Sequence, residues 1–361
     1  MNKVFKIVWS KSKQCYVVVS EYAKSNGGKK KVLATVLAGL MMAGVAGGLA
    51  PQQALAGADY GNSSVNIAPN RLYQGYENTI SGSNAIAVGG LNTVGGSAGG
   101  IGNGRIAIGF QNQVMADAAV AIGNSSKATG GSSTALGAQA NAAGASAIAI
   151  GSETSAAQQS SLAIGDRMKA TGAYATAVGN YGQATGSKST AIGALAKASG
   201  TNATSLGANT VASQEAAAAL GSYAEATGLR STAVGVNAAA SGQSSQAMGD
   251  HAEATGFGAT AVGKAAKALD QSASAFGDSA NATTVQSTAV GYSANATGLN
   301  ASAFGNLSMA SGKYATAVGS EAHATGQNGF AGGAKVNATG SESTAVGYNS
   351  TASGAGSVTL G

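Results

Sequence analysis

From about residue 105 onward the chain breaks into short bursts of alternating apolar and small or polar residues, never into the three-to-four spacing of an amphipathic helix. The bursts are phased by glycine. Gly109, Gly123, Gly137, Gly151, Gly165, Gly179 and Gly193 open a lattice of 19 glycines, each 14 residues after the last, that reaches Gly361 without an insertion. The residue before each lattice glycine is apolar in 18 of 19 cases, with Ile108, Ile122, Leu136, Ile150, Ile164, Val178, Ile192, Val234, Val262, Val290, Val318 and Val346 among them and Gly332 the exception. Two residues earlier Thr dominates, as at Thr134, Thr176, Thr190 and Thr232. Period-two alternation with β-branched residues predicts a strand.

The rest of the unit is equally regular. Five residues after the glycine stands Ala in 17 of 17 units, from Ala128 to Ala352, so another backbone layer approaches closely there. The position before it varies freely (Lys127, Asn141, Lys169, Gln183, Glu225, Glu253, His323, Asn337) and reads as solvent-facing. A second glycine, seven residues after the first in 13 of 18 units (Gly130, Gly144, Gly172, Gly186, Gly354), predicts a turn with φ > 0. Each 14-mer therefore reads as strand, turn, strand, turn, with two strands of about five residues each. The fold class is all-β, a repetitive parallel β-roll or β-solenoid whose coils stabilise one another by stacking. Coils about 4.8 Å apart give a rod roughly 85 to 90 Å long. The apolar and Thr positions are expected to face the interior, and the alternating Ala107, Ala121, Ala135 and Ala177 to form an outer stripe that invites self-association along the roll axis.

The phase loosens before residue 108. Gly61, Gly75 and Gly89 keep the step, but 20 residues separate Gly89 from Gly109, and the surplus falls in "GGSAGGIGNG" (95–104), a surface loop. Tyr60, Tyr73 and Tyr76 cluster with Arg71 in this segment. Two roles stay open for it: a cap on the first coil, which solenoids require, or a ligand contact at the tip by residue types favoured at binding hot spots.

Composition changes the picture mainly at the N-terminus. The formal charge is +6, yet residues 1–56 hold eight Lys and one Glu, leaving twelve basic against thirteen acidic residues beyond them. The basic balance belongs to the leader, and the remaining chain offers no electrostatic case for nucleic acid. The only Cys (Cys15) and the only Trp (Trp9) also lie there. A Lys triplet at 29–31, an apolar run at 32–50 and "ALA" at Ala54–Ala56 follow in the order of a secretory signal peptide, with cleavage expected after Ala56. The run nearly matches the roughly 20 residues of a membrane helix; its Gly and Ala content and the small-x-small site after it favour cleavage.

Two resemblances attach to these residues. "MNKVFKIVWSKSKQCYVVVSEYAK" resembles the extended signal peptide region of type V secreted proteins, which implies export by the Sec machinery toward an outer membrane. "STAVG", "SAIAIG" (146–151) and "SLAIG" (161–165), each followed by an "AxATG"-like segment, resemble the YadA-like head repeat of trimeric autotransporter adhesins over about residues 80–361. That resemblance implies a left-handed roll, a homotrimer made with two further copies of the chain, and an N-terminus distal from the bacterium. Three segments follow: a cleaved extended signal peptide (1–56), an irregular cap with degenerate coils (57–107) and head repeats (108–361). The family also has a neck, a coiled-coil stalk and a membrane-barrel anchor. The chain stops at Gly361 in mid-lattice, so a fragment of a longer protein is expected.

Sites for chemistry are not in evidence. His251 and His323 occupy different positions of the unit without acidic partners at repeating spacing, so no metal is expected. No Ser-His-Asp set accompanies the many serines, and neither cofactor nor enzymatic activity is expected. The functional expectation is an adhesin head at the bacterial cell surface that binds a host matrix protein, a host-cell receptor or other bacteria through many weak contacts. Variable outward positions such as Lys127, Lys169, Glu225 and Glu253 would share that contact. An ice-binding solenoid and a passive spacer or fibre are the alternatives.

Overall fold

The computed structural model describes residues 5–10, 15–20, 64–68, 71–81, 84–95 and 104–361. The cleavage site at Ala56, the apolar run before it, Tyr60 and most of the glycine-rich loop lie outside the described residues. Two units are formed, Met1–Gly57 and Ala58–Gly361. In the first, Phe5–Ser10 pairs antiparallel with Cys15–Ser20.

The second unit is a parallel coil. It opens on one antiparallel pair, Ser64–Ala68 with Arg71–Gly75, and from there every pairing is parallel. Arg71 faces Ala85, and Ala85 in turn faces Arg105, so the 20-residue interval between Gly89 and Gly109 costs no register. The ladder resumes with Ala87 facing Ala107 and Gly89 facing Gly109. Downstream each long strand pairs with the strand one coil away, as Thr176–Asn180 does with Thr190–Ala194.

Slots are numbered here from the lattice glycine as slot 0. Slots 11 to 13 form the long strand, which in many coils runs on through slots 0 and 1. Slots 4 and 5 form a short strand, as at Lys169–Ala170, and these stack into a second parallel sheet. The second strand thus has two residues, not five. The reason is the corners: slots 2 and 9 both adopt left-handed backbone, for example Arg167 (φ 51°) and Tyr174 (φ 59°), leaving little extended chain between them. The corner amides also bond between coils, Arg167 N–H to the Ser152 carbonyl (2.8 Å) and Tyr174 N–H to that of Gln159 (2.8 Å). Stacking thereby offsets a left-handed conformation that costs a non-glycine residue about 1–3 kcal/mol.

Both glycines answer to the neighbouring coil. Gly179 has φ +134°, and a Cβ there would lie 2.6 Å from the Gly193 carbonyl oxygen. The half-period glycine differs from expectation: Gly130 is not in the positive-φ region, and a Cβ on it would lie 2.0 Å from the Gly144 carbonyl oxygen. Close approach, not turn conformation, favours glycine at slot 7.

The interior is made of slots 3, 5, 10 and 12, and it is nearly all Ala and Ser. Ala170 (slot 5), Ala175 (slot 10) and Ala177 (slot 12) are fully buried. This reverses the expected orientation of the long strand: alanine points in, and the branched apolar residues point out. Two sheets joined by such tight corners leave room between them for methyl groups and little more. Where a larger side chain enters, its neighbour yields. Met168 fills slot 3, and the next coil has Gly182 there, where a Cβ would meet the Met168 Cε at 2.7 Å.

Candidate functional surfaces of the rod

Turning alanine inward gives the rod two unlike faces. On the long-strand face, Ile108, Ile122, Leu136, Ile150, Ile164, Val178, Ile192, Val234, Val262, Val290, Val318 and Val346, expected in the core, are instead half-buried or exposed; Ile192 and Val318 are each 42% accessible. Thr176, Thr190 and their equivalents flank them on this face and are half-buried. The exception Gly332 belongs to the same pattern: Phe330 stands at slot 11 of that coil, and a Cβ on Gly332 would lie 2.9 Å from its ring. The aromatic ring occupies the position that a branched residue fills in other coils. An apolar column of this length, facing outward, is unusual for a surface that stays in water.

The short-strand face is polar. Slot 4 carries Lys127, Lys169, Lys197 and Glu225, all exposed, with Glu253 and His323 half-buried. Nothing on this face recurs in every coil, since the Ala of slot 5 that builds the strand is turned inward.

The corners carry exposed aromatic and charged residues. Arg167 spans three coils along slot 2, bonding Glu153 through Nε (2.8 Å) and Nη2 (3.0 Å) and lying 5.1 Å above the Tyr181 ring. Its Nη1 also meets the Tyr181 hydroxyl. The Arg167 hydrogen bonds hold the Glu153 carboxyl below the usual carboxylate range, and the same pairing raises the guanidinium further. Tyr223 (56% accessible) stands at slot 2 three coils beyond Tyr181.

The first coils show a site that sequence reasoning missed. Slot 3 holds Asn78, Asn92 and Asn112 in succession, and the last two are fully buried. Asn92 Nδ2 donates to Asn78 Oδ1 (3.0 Å) and to the Gly109 carbonyl (2.9 Å), while its Oδ1 accepts from the Asn112 amide (3.0 Å). Asn112 repeats this, donating to the Gly123 carbonyl (2.9 Å) and accepting from the Ser126 amide (2.9 Å). Slot 5 in the same coils holds Ile80, Val94 and Val114 in place of Ala. The signal was present in the spacing of Asn from Gly75, Gly89 and Gly109. Beside the ladder, Arg105 is buried and bonds Asp117 Oδ1 at 2.5 Å. Tyr76 is 40% accessible and its ring lies beside Gly90, where a Cβ would meet it at 2.7 Å. For Arg71 and Tyr73 only the strand pairing is described.

Chemical groups are sparse. His251 bonds the adjacent Asp250 (2.6 Å) at the surface, far in sequence from His323. Among the described residues no three His, Cys, Asp or Glu side chains are grouped to hold a metal ion. A groove of about 440 Å³ lined by Leu91, Thr93, Gln111, Gln113, Ser125 and Lys127 follows the corner and short strands of the first coils and is open to solvent.

Comparison with protein families accounts for both units. Residues 1–49 match the extended signal peptide of the type V secretion system. The YadA head domain repeat matches thirteen times, each match about two coils long, from 116–140 to 338–361. The chain belongs to the YadA-head family of trimeric autotransporter adhesin-like proteins. It is accordingly an exported protein of the bacterial cell surface. The YadA-head repeat unit coincides with the 14-residue coil, so the branched long-strand face and the polar short-strand face are properties of the repeated unit itself. A comparison with curated proteins finds no match.

Proposed function

We propose that residues 57–361 are the head of a surface adhesin, exported through the Sec machinery with cleavage after Ala56 and assembled as a homotrimer. The head binds a host matrix protein, a host-cell receptor or other bacteria through many weak contacts spread along the rod. One observation carries this reading: a rod of uniform backbone presents a continuous apolar face that must be covered and a polar face free to vary. Each half-exposed Ile or Val left in water forgoes roughly 25 cal/mol for every Å² that burial would remove, so three long-strand faces turned toward one another account for the column that a single chain leaves bare. The resemblance to trimeric relatives points the same way. Residues 57–107 act as the cap, and the asparagine ladder that begins there and ends at Asn112 closes the interior.

Binding then falls to the outward slots, which vary from coil to coil without disturbing the interior. Contacts that are individually weak gain avidity when several engage together. No catalytic role is assigned to any residue.

The test is the solution mass of the exported protein by light scattering, followed on the same sample by binding to matrix proteins and to cells. A trimer that binds supports the adhesin head; a folded monomer at micromolar concentration removes the assembly, and a trimer that binds nothing reduces the rod to a spacer.

A further inference from the structure

Charge is unevenly placed along the rod. Residues 127–197 hold five basic side chains against two acidic ones, whereas residues 215–278 hold six acidic against three basic. The centres of these zones lie six coils apart, about 29 Å at the spacing of adjacent strands, well beyond the roughly 8 Å over which salt screens charge at physiological strength. A partner therefore meets a local charge, not the near-zero sum.

On the short-strand face the pattern becomes specific. Slot 4 reads Lys169, Gln183, Lys197, Val211, Glu225, Ala239, Glu253 along seven successive coils. Lys197 and Glu225 each stand one coil from Val211, and Lys169 and Glu253 each stand three coils from it. We propose that this face docks on the same face of a second rod running in the opposite direction, about a two-fold axis at Val211. In that arrangement Lys197 meets the partner's Glu225 and Lys169 meets the partner's Glu253. Symmetry makes each of these pairs twice, and the two Val211 side chains meet at the centre. An isologous contact requires a self-complementary patch, and this column supplies one. Further out the opposed pairs are Ser155 with Lys267, Asn141 with Asn281 and Lys127 with Asn295, none of them like-charged. The outer ion pair is the weaker, because Lys267 of the same chain already reaches Glu253 at 3.4 Å.

Direction is what the charges select. Two rods in the same direction and in register would set Lys169 against Lys169 and Glu225 against Glu225, which like-charge repulsion opposes. Rods standing on one surface share a direction; rods on two facing surfaces oppose. The partner is thus another copy presented from an opposite surface, and many rods engaging together add avidity to each contact. This rests on the reading of the chain as an exported surface rod, and deepens it by naming one partner.

Beads coated with the exported protein provide the test, with clustering followed by turbidity at low and high salt. The parent beads should cluster, at least about tenfold faster in low salt than in 0.5 M salt. Lys169→Glu with Lys197→Glu, or Glu225→Lys with Glu253→Lys, should slow clustering by at least about tenfold, and all four changes together should restore it. Val211→Lys sets like charges at the axis and should act as the double changes do. Parent beads that do not cluster, double variants that cluster like the parent, or a fourfold variant of unchanged mass and β-sheet spectrum that fails to recover would each overturn the proposal. Binding of the same beads to matrix proteins is scored separately, so failure of the adhesin reading is distinguishable from failure of self-docking.

Discussion

The coils from residue 75 to 114 and those after residue 127 share one backbone but fill it by opposite means. Early coils place Asn in slot 3 and Ile or Val in slot 5; later ones, such as that of Ala196 and Ala198, place Ala in both. An alanine interior is cheap to order, because Ala loses no rotamer freedom, but each residue adds little area. Such coils hold because many are stacked, and a coil near the end has fewer neighbours. The asparagine ladder compensates with directed bonds. It ties side chains to the backbone of the coils on both sides, in a dry interior where a satisfied hydrogen bond is strong and an unsatisfied one is costly.

The sharpest way to break this contrast is Asn92→Ala. It strands the Asn112 backbone N–H and takes a donor from the Gly109 carbonyl, while the backbone N–H of residue 92 still satisfies Asn78 Oδ1, and the first coils should lose about 2–4 kcal/mol, from one to three of it for the stranded N–H. Hydrogen exchange should accelerate across 78–112 and remain unchanged beyond about residue 150; uniform acceleration would show that the ladder is not local to the cap.

A smaller effect separates two serines of the later coils. Ser231 Oγ bonds the Gly228 carbonyl of its own turn at 2.7 Å, whereas the buried Ser245 Oγ has no partner. Ser231→Ala should cost about 1 kcal/mol and Ser245→Ala should cost nothing or stabilise, as chemical denaturation of the two variants will show.

The smallest effect belongs to the exposed corner. Because Arg167 lowers the folded-state pKa of Glu153, the stability from this pair is fully present above the ordinary carboxylate value and is lost as pH falls through the lowered one. Arg167→Ala should flatten that acid-side dependence by slightly lowering stability at neutral pH while leaving stability at the acid end unaltered, readable from denaturation curves across the acidic range.

The lattice itself was legible from the glycines, whose spacing sets a register that the strands follow. Which face lay inside was not. Period-two alternation separates two faces without saying which one is buried, and larger apolar residues are the ordinary choice for a core. The better signal was size tolerance: Ala177 and its equivalents tolerate few replacements (Ser205, Thr359), as does Ala at slot 5, and only a narrow interior demands that. The left-handed corners were invisible because slots 2 and 9 carry residues as different as Leu195, Tyr223 and Glu342, with conformation imposed by the neighbouring coils. The ladder was hidden by its distance from the regular units, although Asn keeps the same offset from three glycines.

Register has a further consequence. The strand pairing sets Gly89 against Gly109 across a 20-residue interval just as it sets Gly179 against Gly193 across fourteen, so a whole unit enters the ladder without distortion. Gain or loss of fourteen codons, or any multiple, therefore alters the rod by steps of about 4.8 Å, leaving every other coil as it was. The rod is graduated like a ruler, and its reach changes only in discrete increments of one unit.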